Sequence, residues 1–208
     1  MFDDCSITDS VFTGTSSGIG RFDRTAESVR GLQMTMRGWI AAAAISAAGS
    51  ASAAELVADM RVVTPTEIGR TVGTVEVADG SSGAVITPRL AGLPPGAHGF
   101  HIHANGDCGP APNDQGEMAA AGAAKGHWDP GGAGAHHGPE GDGHLGDLPA
   151  LTVGQDGTAA EPLVAPRLTD VSRLAGLAVM IHAGGDNYSD EPKPLGGGGA
   201  RIACGVLH

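Results

Sequence analysis

The stretch His-Gly-Phe-His-Ile-His, residues 98–103, decides how this sequence folds and what it can bind. His101 and His103 stand two residues apart, with the apolar Phe100 and Ile102 as neighbours. Alternate side chains of a β-strand project to opposite faces, so both imidazoles would lie on one face. Two imidazoles on one face can hold a single metal ion. The pair alone does not establish a metal site, and the prediction of a metal-binding strand depends on the later candidate ligands.

Further histidines favour the same interpretation. All nine histidines of the chain fall between residues 98 and 208, whereas a structural role would scatter them. No CxxC pair is present, so a site built on thiolates is not predicted. The additional candidate ligands are His127, His136, His144, Asp147 and His182.

Short alternating segments on both sides of this stretch predict an all-β fold. Leu56, Ala58, Met60 and Val62 would line one face of a strand, and the turn sequence at 79–83 separates two further segments. Regularly spaced short strands with turn signals are typical of a sandwich or barrel. The predicted strands are 56–63, 74–77, 84–90, 98–103, 150–153, 161–164, 177–182 and 200–207.

Two long regions, residues 104–148 and 183–199, are rich in glycine, proline and aspartate and show little alternation. Structureless loops of this length in a compact domain are usually functional or disordered. The first region holds most of the remaining ligand candidates, so a functional role is favoured. A bound metal would supply the order that apolar packing does not.

The first 53 residues differ from the rest. After the positive charge of Arg37 comes an apolar stretch of signal-peptide length, which ends in the small residues 51–53. This order predicts a secretory signal peptide over residues 34–53, cleaved near Ala53 or Ala54. A transmembrane anchor is the alternative, but the apolar core is well short of the roughly 20 residues that a spanning helix needs.

A signal peptide should begin a chain, so we expect translation to start at Met34 or Met36 and residues 1–33 to be a disordered, non-native extension. That extension contains Thr-Gly-Thr-Ser-Ser-Gly-Ile-Gly at 13–20, which matches the dinucleotide-phosphate turn of short-chain dehydrogenases. The turn requires a buried strand before it and a helix after it. The polar sequence upstream does not fit such a strand, so no dehydrogenase is predicted. The predicted domain is residues 54–208.

Five segments, taken in order, resemble the bacterial copper/zinc superoxide dismutases over about residues 55–208. The resemblance implies an all-β fold, a flattened eight-stranded Greek-key β-barrel or sandwich of immunoglobulin-like type, with two long metal-binding and electrostatic loops. The segments are His-Gly-Phe-His-Ile-His with a following Gly-Asp-Cys (98–108), Gly-His-Trp-Asp-Pro (126–130), Gly-His-Leu-Gly-Asp-Leu-Pro (143–149), Ile-His-Ala-Gly-Gly-Asp-Asn-Tyr-Ser-Asp (181–190) and Pro-Leu-Gly-Gly-Gly-Gly-Ala-Arg-Ile-Ala-Cys-Gly-Val (194–206).

The resemblance implies one copper ion and one zinc ion per subunit, bridged by His127 as an imidazolate. Four nitrogens suit tetragonal copper(II), and a closed tetrahedron of nitrogen and oxygen suits a structural zinc. Asp186 matches an aspartate that hydrogen-bonds ligands of both metals, and a solvated loop aspartate is the alternative. The implied copper ligands are His101, His103, His127 and His182, and the implied zinc ligands are His127, His136, His144 and Asp147.

Arg201 matches the family's arginine beside the copper, where a guanidinium can attract and position a small anion. A surface arginine on the last strand is the alternative. Cys108 and Cys204 match the family's intrasubunit disulfide, with two free buried thiols as the alternative. Secretion would supply the oxidising compartment that the disulfide needs.

Three histidines are left without a metal. His98 matches no ligand position and is predicted to be structural or exposed. His137 could compete for zinc with His136, but the family spacing from His127 favours His136. His208 has no assigned role.

The implied activity is dismutation of superoxide to dioxygen and hydrogen peroxide by a redox-cycling copper, as antioxidant defence in the periplasm. His127 and Arg201 are the implied catalytic residues. The alternative is a secreted copper-binding or storage module on the same scaffold, which would need neither Arg201 nor Asp186. A purely structural zinc domain would leave the copper-side histidines without purpose.

The net charge of the chain limits the kinds of partner that it can bind. The net charge of −11 argues against nucleic acid, whose phosphates need a basic surface. Residues 54–208 carry 8 basic and 18 acidic side chains, so a small anionic substrate requires a local positive focus. Lysines that bacterial members often carry after the first cysteine are missing from residues 110–117. We expect Arg201, Lys125 and the metals, with Lys193, to provide this focus. We expect the mature chain to have no membrane span and to be a monomer or a homodimer.

Overall fold

The computed structural model of the protein describes residues 54–113 and 115–208. The predicted upstream extension, the signal peptide and the dinucleotide-like turn lie outside these residues. Within the described part the only helical elements are three 3-10 turns, Gly122–Ala124, Val171–Leu174 and Leu195–Gly197. No helix there is long and apolar enough to cross a membrane.

The strands are β1 (Glu55–Val63), β2 (Ile68–Ala78), β3 (Ala84–Ala91), β4 (Gly96–His98), β5 (Phe100–His103), β6 (Ala111–Pro112), β7 (Met118–Ala119), β8 (Leu151–Val153), β9 (Thr158–Ala159), β10 (Leu163–Ala165), β11 (Ala178–His182) and β12 (Arg201–Val206). All the strand pairs are antiparallel. This confirms the predicted all-β fold.

One curled sheet organises most of the domain. Its order is β10-β3-β2-β1-β12-β11-β5, and β9 also pairs with β3. β4 precedes β5 across Gly99 and pairs with β8, which turns back into β9 through a tight hairpin. The circuit of strands thereby returns to β3. Counting β4 with β5, and β9 with β10, gives the eight strand positions of the predicted barrel.

β5 divides the apolar core from the candidate ligands. Phe100 and Ile102 are fully buried in the main hydrophobic cluster, which also receives the alternating apolar side chains of β1, β2 and β3. His101 and His103 are equally buried but belong to the other face of the strand, beneath the long loops. The two-residue period predicted from the sequence therefore places both imidazoles together.

A second, smaller apolar cluster surrounds the disulfide between Cys108 and Cys204, whose Cα atoms are 5.7 Å apart. The predicted disulfide is confirmed. It packs the turn Gly122–Ala124 against β11 and β12, because Ala121 and Ala124 are buried in the same cluster. The loop after β5 is thereby attached to the strand that begins with Arg201.

β2 is much longer than the predicted strand 74–77. Its pairing with β1 shifts register near Met60, and Gly73 lies at this irregularity with φ of +128°. A Cβ on Gly73 would lie 1.9 Å from the Arg89 carbonyl oxygen, so only glycine fits. The irregularity interrupts the alternation, which hides the first half of β2 from a reading of the sequence.

Candidate metal centre

Four imidazoles converge on one point above β5. The structure brings together one nitrogen from each of these rings, all within 4.8 Å of one another. β5 supplies two of them, β11 supplies the third, and the loop after the turn Gly122–Ala124 supplies the fourth. They are His101, His103, His182 and His127, the four side chains predicted as copper ligands.

Each of these rings is held by one nitrogen and leaves the other free. The Nδ1–H of His103 donates to the Lys125 carbonyl at 2.8 Å, and that of His182 donates to the Gly199 carbonyl at 3.1 Å. Carbonyls only accept, so these bonds fix the tautomer and leave Nε2 as a lone pair. The buried nitrogens without a hydrogen-bond partner are Nδ1 of His101 and Nε2 of His103, His127 and His182.

A second group adjoins the first and matches a tetrahedral ion. Oδ1 of Asp147 lies 2.9 Å from Nδ1 of His127, 3.0 Å from Nδ1 of His136 and 3.4 Å from Nδ1 of His144. The last two nitrogens are buried without hydrogen-bond partners. A tetrahedral zinc with bonds of about 2 Å separates its ligand atoms by about 3.3 Å. The donor set and spacing therefore fit zinc.

His127 belongs to both groups. Its Nδ1 lies beside Asp147, and its Nε2 points into the group of four imidazoles. The ring of His127 stacks on that of His101 with centroids 4.0 Å apart. One imidazole thus offers a nitrogen to each of two neighbouring metal positions.

Asp186 connects the two groups from outside. Its fully buried carboxylate accepts from Nε2 of His101 at 2.8 Å and from Nε2 of His136 at 2.8 Å. Both bonds use the nitrogens that face away from the unpartnered ones. Such bonds orient metal-binding imidazoles and raise their basicity. The solvated alternative for Asp186 does not describe this structure.

Several supporting contacts were not anticipated from the sequence. Asp190 accepts from the backbone N–H groups of His136 and Leu195, both at 2.9 Å, and so fixes one candidate zinc ligand to the loop 183–199. Arg167 donates to the His144 carbonyl at 3.1 Å. Asp190 lies within a segment that carried the family resemblance, but nothing in its residue type distinguishes it from a solvated aspartate.

Arg201 opens β12 beside the four-imidazole group. Its two terminal nitrogens donate to the carbonyls of Ala121 and Lys125, at 2.6 and 2.5 Å. Nε and the remaining N–H groups are left for a ligand, since a guanidinium has five donors. A planar guanidinium held at two points is suited to receiving a small anion.

Burial keeps the four-imidazole group neutral. It lowers the pKa of His182 to about 3 and that of His127 to about 4. Burial and then the charge of Arg201 hold the pKa of His103 well below its ordinary value. Neutral imidazoles are the form that binds metals, so these lone pairs are available at neutral pH.

The carboxylates reverse this effect at His136. Burial opposes its charge, but the nearby carboxylates of Asp147 and Asp186 outweigh burial and raise the pKa of His136 to about 9. Burial likewise opposes the ionisation of both carboxyls, yet the adjacent imidazoles lower their pKa values. Metal binding at His136 therefore displaces a proton.

The three remaining histidines lie outside both groups. His98 is buried, and its ring nitrogens lie 2.7 Å from the His182 carbonyl and 2.8 Å from the Pro94 carbonyl, which is a structural position. His137 contacts the exposed Asp142 at 2.6 Å. Nδ1 of His208 lies 3.2 Å from the Val206 carbonyl oxygen.

A β-barrel whose strands and long loops together bring six imidazoles and one carboxylate into two adjoining groups defines a class of protein with a paired metal centre. The family model for copper/zinc superoxide dismutase (SODC) matches residues 71–207. Superoxide dismutase (Cu-Zn) 2 of Salmonella typhimurium is 55% identical over 163 residues, which cover 78% of this chain and 93% of that protein.

Solved structures agree. The Cu/Zn superoxide dismutase from Brucella abortus gives a TM-score of 0.72 at 46% identity, covering 74% of this chain and all of that one. The solution structure of the monomeric copper, zinc superoxide dismutase from Salmonella enterica gives 0.66 at 55% identity, with 74% and 100% coverage.

The chain belongs to the copper/zinc superoxide dismutase family. It is an oxidoreductase that dismutes superoxide, and its metals are copper and zinc.

Proposed function

We propose that copper occupies the four-imidazole group and zinc the adjoining group. The copper ligands in this proposal are His101 Nδ1 and the Nε2 atoms of His103, His127 and His182. The zinc ligands are the Nδ1 atoms of His127, His136 and His144 with Oδ1 of Asp147. The observation that carries the proposal is a set of six buried ring nitrogens, all within these groups, that have no hydrogen-bond partner among the described residues.

Unpartnered buried nitrogens are costly, and two metal ions, one in each group, would satisfy all of them. The identities of the donors separate the two positions. Four neutral nitrogens favour copper, whereas three nitrogens and a carboxylate at tetrahedral spacing favour zinc.

When bound, copper would supply the one-electron chemistry of both half-reactions, and Nδ1 of His127 would be one of the zinc ligands. Arg201 receives the superoxide anion through its free N–H groups. His127 carries at Nε2 a proton that the reduced product requires, while its Nδ1 stays on the zinc side. Asp186 keeps the rings of His101 and His136 in one orientation.

The test is superoxide dismutation by a purified chain that begins at Ala54 and is loaded with copper and zinc. A zinc-only preparation should be inactive. Arg201→Ala should lower the rate about tenfold or more because the anion loses its guide, and Arg201→Lys should fall between the two because it keeps only the charge. Tight copper binding without turnover would support the storage module instead.

We further propose that the protein works in the periplasm, after cleavage of a signal peptide at residues 34–53. The disulfide between Cys108 and Cys204 supports an oxidising destination. Fractionation of expressing cells with intact mass measurement should find a periplasmic chain beginning near Ala54. Peptides from residues 1–33 in the precursor would contradict a start at Met34 or Met36.

We propose a monomer as the working form, with a homodimer as the alternative. Support comes from the Salmonella enterica relative, whose solution structure is described as monomeric. Light scattering after gel filtration of the metal-loaded protein measures the mass directly, and twice the chain mass would establish the homodimer.

A further inference from the structure

Two residues with positive φ frame the turn Gly122–Ala124. Ala121 precedes it with φ of 47°, and Lys125 follows it with φ of 65° and ψ of −153°. Their carbonyls are the two acceptors that hold the guanidinium of Arg201. The carbonyl of Lys125 also accepts from Nδ1 of His103 at 2.8 Å. One backbone carbonyl therefore positions both a proposed copper ligand and the anion-binding arginine.

The backbone of Lys125 occupies a conformation that suits glycine. Its φ and ψ fall in a region that is essentially restricted to glycine, because a Cβ there crowds the adjoining peptide groups. A glycine would present the same carbonyl to His103 and Arg201 without this strain. The geometry of the carbonyl therefore gives no reason for a side chain at position 125.

The ammonium group of Lys125 has no hydrogen-bond or ion-pair partner among the described residues, in contrast to the arginines. Each of the six arginines in residues 54–208 contacts a carbonyl, a carboxylate or an indole ring. Lys125 is exposed, and its ammonium makes no hydrogen bond or ion pair with any residue that the structure describes. It lines a surface cavity of about 670 Å³ together with Arg201, Gly199 and Ala200.

We propose that Lys125 is a second anion-attracting residue, retained in a strained conformation because it lines the same cavity as Arg201 and adds a positive charge there. The proposal rests on the metal ligands and the role of Arg201 proposed above and deepens that account. Lys125 draws superoxide to the cavity, and Arg201 receives it. A local positive charge at the cavity is needed, because residues 54–208 carry ten more acidic than basic side chains and their net negative charge repels an anionic substrate.

Three variants of the full chain separate charge from conformation. Lys125→Gly removes both the charge and the strain, Lys125→Gln removes the charge alone, and Lys125→Arg keeps both. In thermal unfolding of the metal-free protein, Lys125→Gly should raise the midpoint by roughly 2–6 °C. The glutamine and arginine variants should stay close to the original protein, because each keeps a Cβ in the same conformation.

The charge is tested on the metal-loaded protein by two measurements. Lys125→Gly and Lys125→Gln should weaken azide binding, which the visible absorption of the copper measures, by a factor of about two to five. Both variants should lower the dismutation rate at low ionic strength by the same factor. Lys125→Arg should keep both values. Added salt should diminish the difference, because mobile ions screen the lysine charge.

Lys125→Gly that is no more stable than the original protein would overturn the inference of strain. Lys125→Gln with unchanged azide affinity, rate and salt dependence would overturn the role of the charge. Failure of the proposed copper and zinc sites is distinguishable, because the unsubstituted protein loaded with copper and zinc would then show no turnover.

Discussion

Asp186 joins the two ligand groups without belonging to either. Its two oxygens accept from rings on opposite sides, and Oδ1 also accepts from the backbone N–H of Tyr188 at 2.8 Å. The side chain is fully buried, so water offers these rings no substitute acceptor. A change to one carboxylate should therefore disturb both metals together.

Asp186→Asn tests this connection. An amide offers one acceptor oxygen, and its NH2 group faces a ring N–H that also donates, so one of the two rings loses its partner. Affinity for zinc should fall by about 10- to 100-fold, the usual effect of losing such a partner. Competition with a coloured chelator measures it. Asp156→Asn, in the exposed hairpin between β8 and β9, is the matched control, and an equal loss there would contradict the prediction.

Among larger elements, the loop 183–199 depends on glycine at one point in particular. Gly196 has φ of +69°, and a Cβ on it would lie 2.0 Å from Oδ1 of Asp186 and 2.9 Å from Nε2 of His136. The backbone thus passes against the hydrogen bond that links the loop to the proposed zinc ligand. Asp190 fastens the same loop through Leu195.

Gly196→Ala should release metal more readily than Gly132→Ala. Both glycines have φ of +69°, so both variants bear the same backbone strain, but nothing lies within 4 Å of a Cβ on Gly132. The difference between them isolates the collision with Asp186. We expect at least about tenfold faster zinc loss from Gly196→Ala, measured with a chelator. Equal rates would show that strain alone matters.

The elements also show what a sequence can predict. Side-chain ligands such as His101 and His182 could be predicted because their chemistry lies in the residue type and their order follows the family. The carbonyls of Ala121, Lys125 and Gly199 could not, because every residue has a carbonyl and only the folded backbone decides where it points. The length of β2 was underestimated because its irregularity at Gly73 arises from pairing with β1, which residue types alone do not reveal.

At the scale of the whole molecule, metal-free stability should depend on pH through the same histidines. The pKa of His136 is about 9, above the ordinary 6.5, so its contribution is full below pH 6.5 and is lost as pH rises toward 9. The pKa values of His127 and His182, about 4 and 3, lie below 6.5, so stability falls as pH drops from 6.5 toward 3.

The free energy of unfolding of the metal-free protein should therefore be highest near pH 6.5. Urea denaturation at closely spaced pH values measures it, and the acid side should be steeper because more than one histidine takes up a proton there. A steady rise across pH 5–9 would contradict the protonation of His136. The metal-loaded protein should show a flatter alkaline side, since zinc replaces that proton.

The disulfide gives a second prediction at this scale. Cys108 and Cys204 are 96 residues apart, so the bond restricts a long loop in the unfolded chain. Replacing both by serine should lower the free energy of unfolding by about 4 kcal/mol. Denaturation of the metal-free forms measures it, and reduction of the unsubstituted protein should approach the same value. A difference below about 1 kcal/mol would contradict the prediction.

The same bond makes the geometry around Arg201 depend on the redox conditions of the compartment that holds the protein. In a reducing compartment the two thiols stay separate and the covalent link between the loop after β5 and β12 is missing. Apolar packing and the hydrogen bonds from Arg201 to the carbonyls of Ala121 and Lys125 must then hold the loop without it. With the export proposed above, copies in the cytoplasm would be less active than copies that have reached the periplasm. The redox state of the compartment, rather than a dedicated regulator, would then determine when this chain reaches full activity.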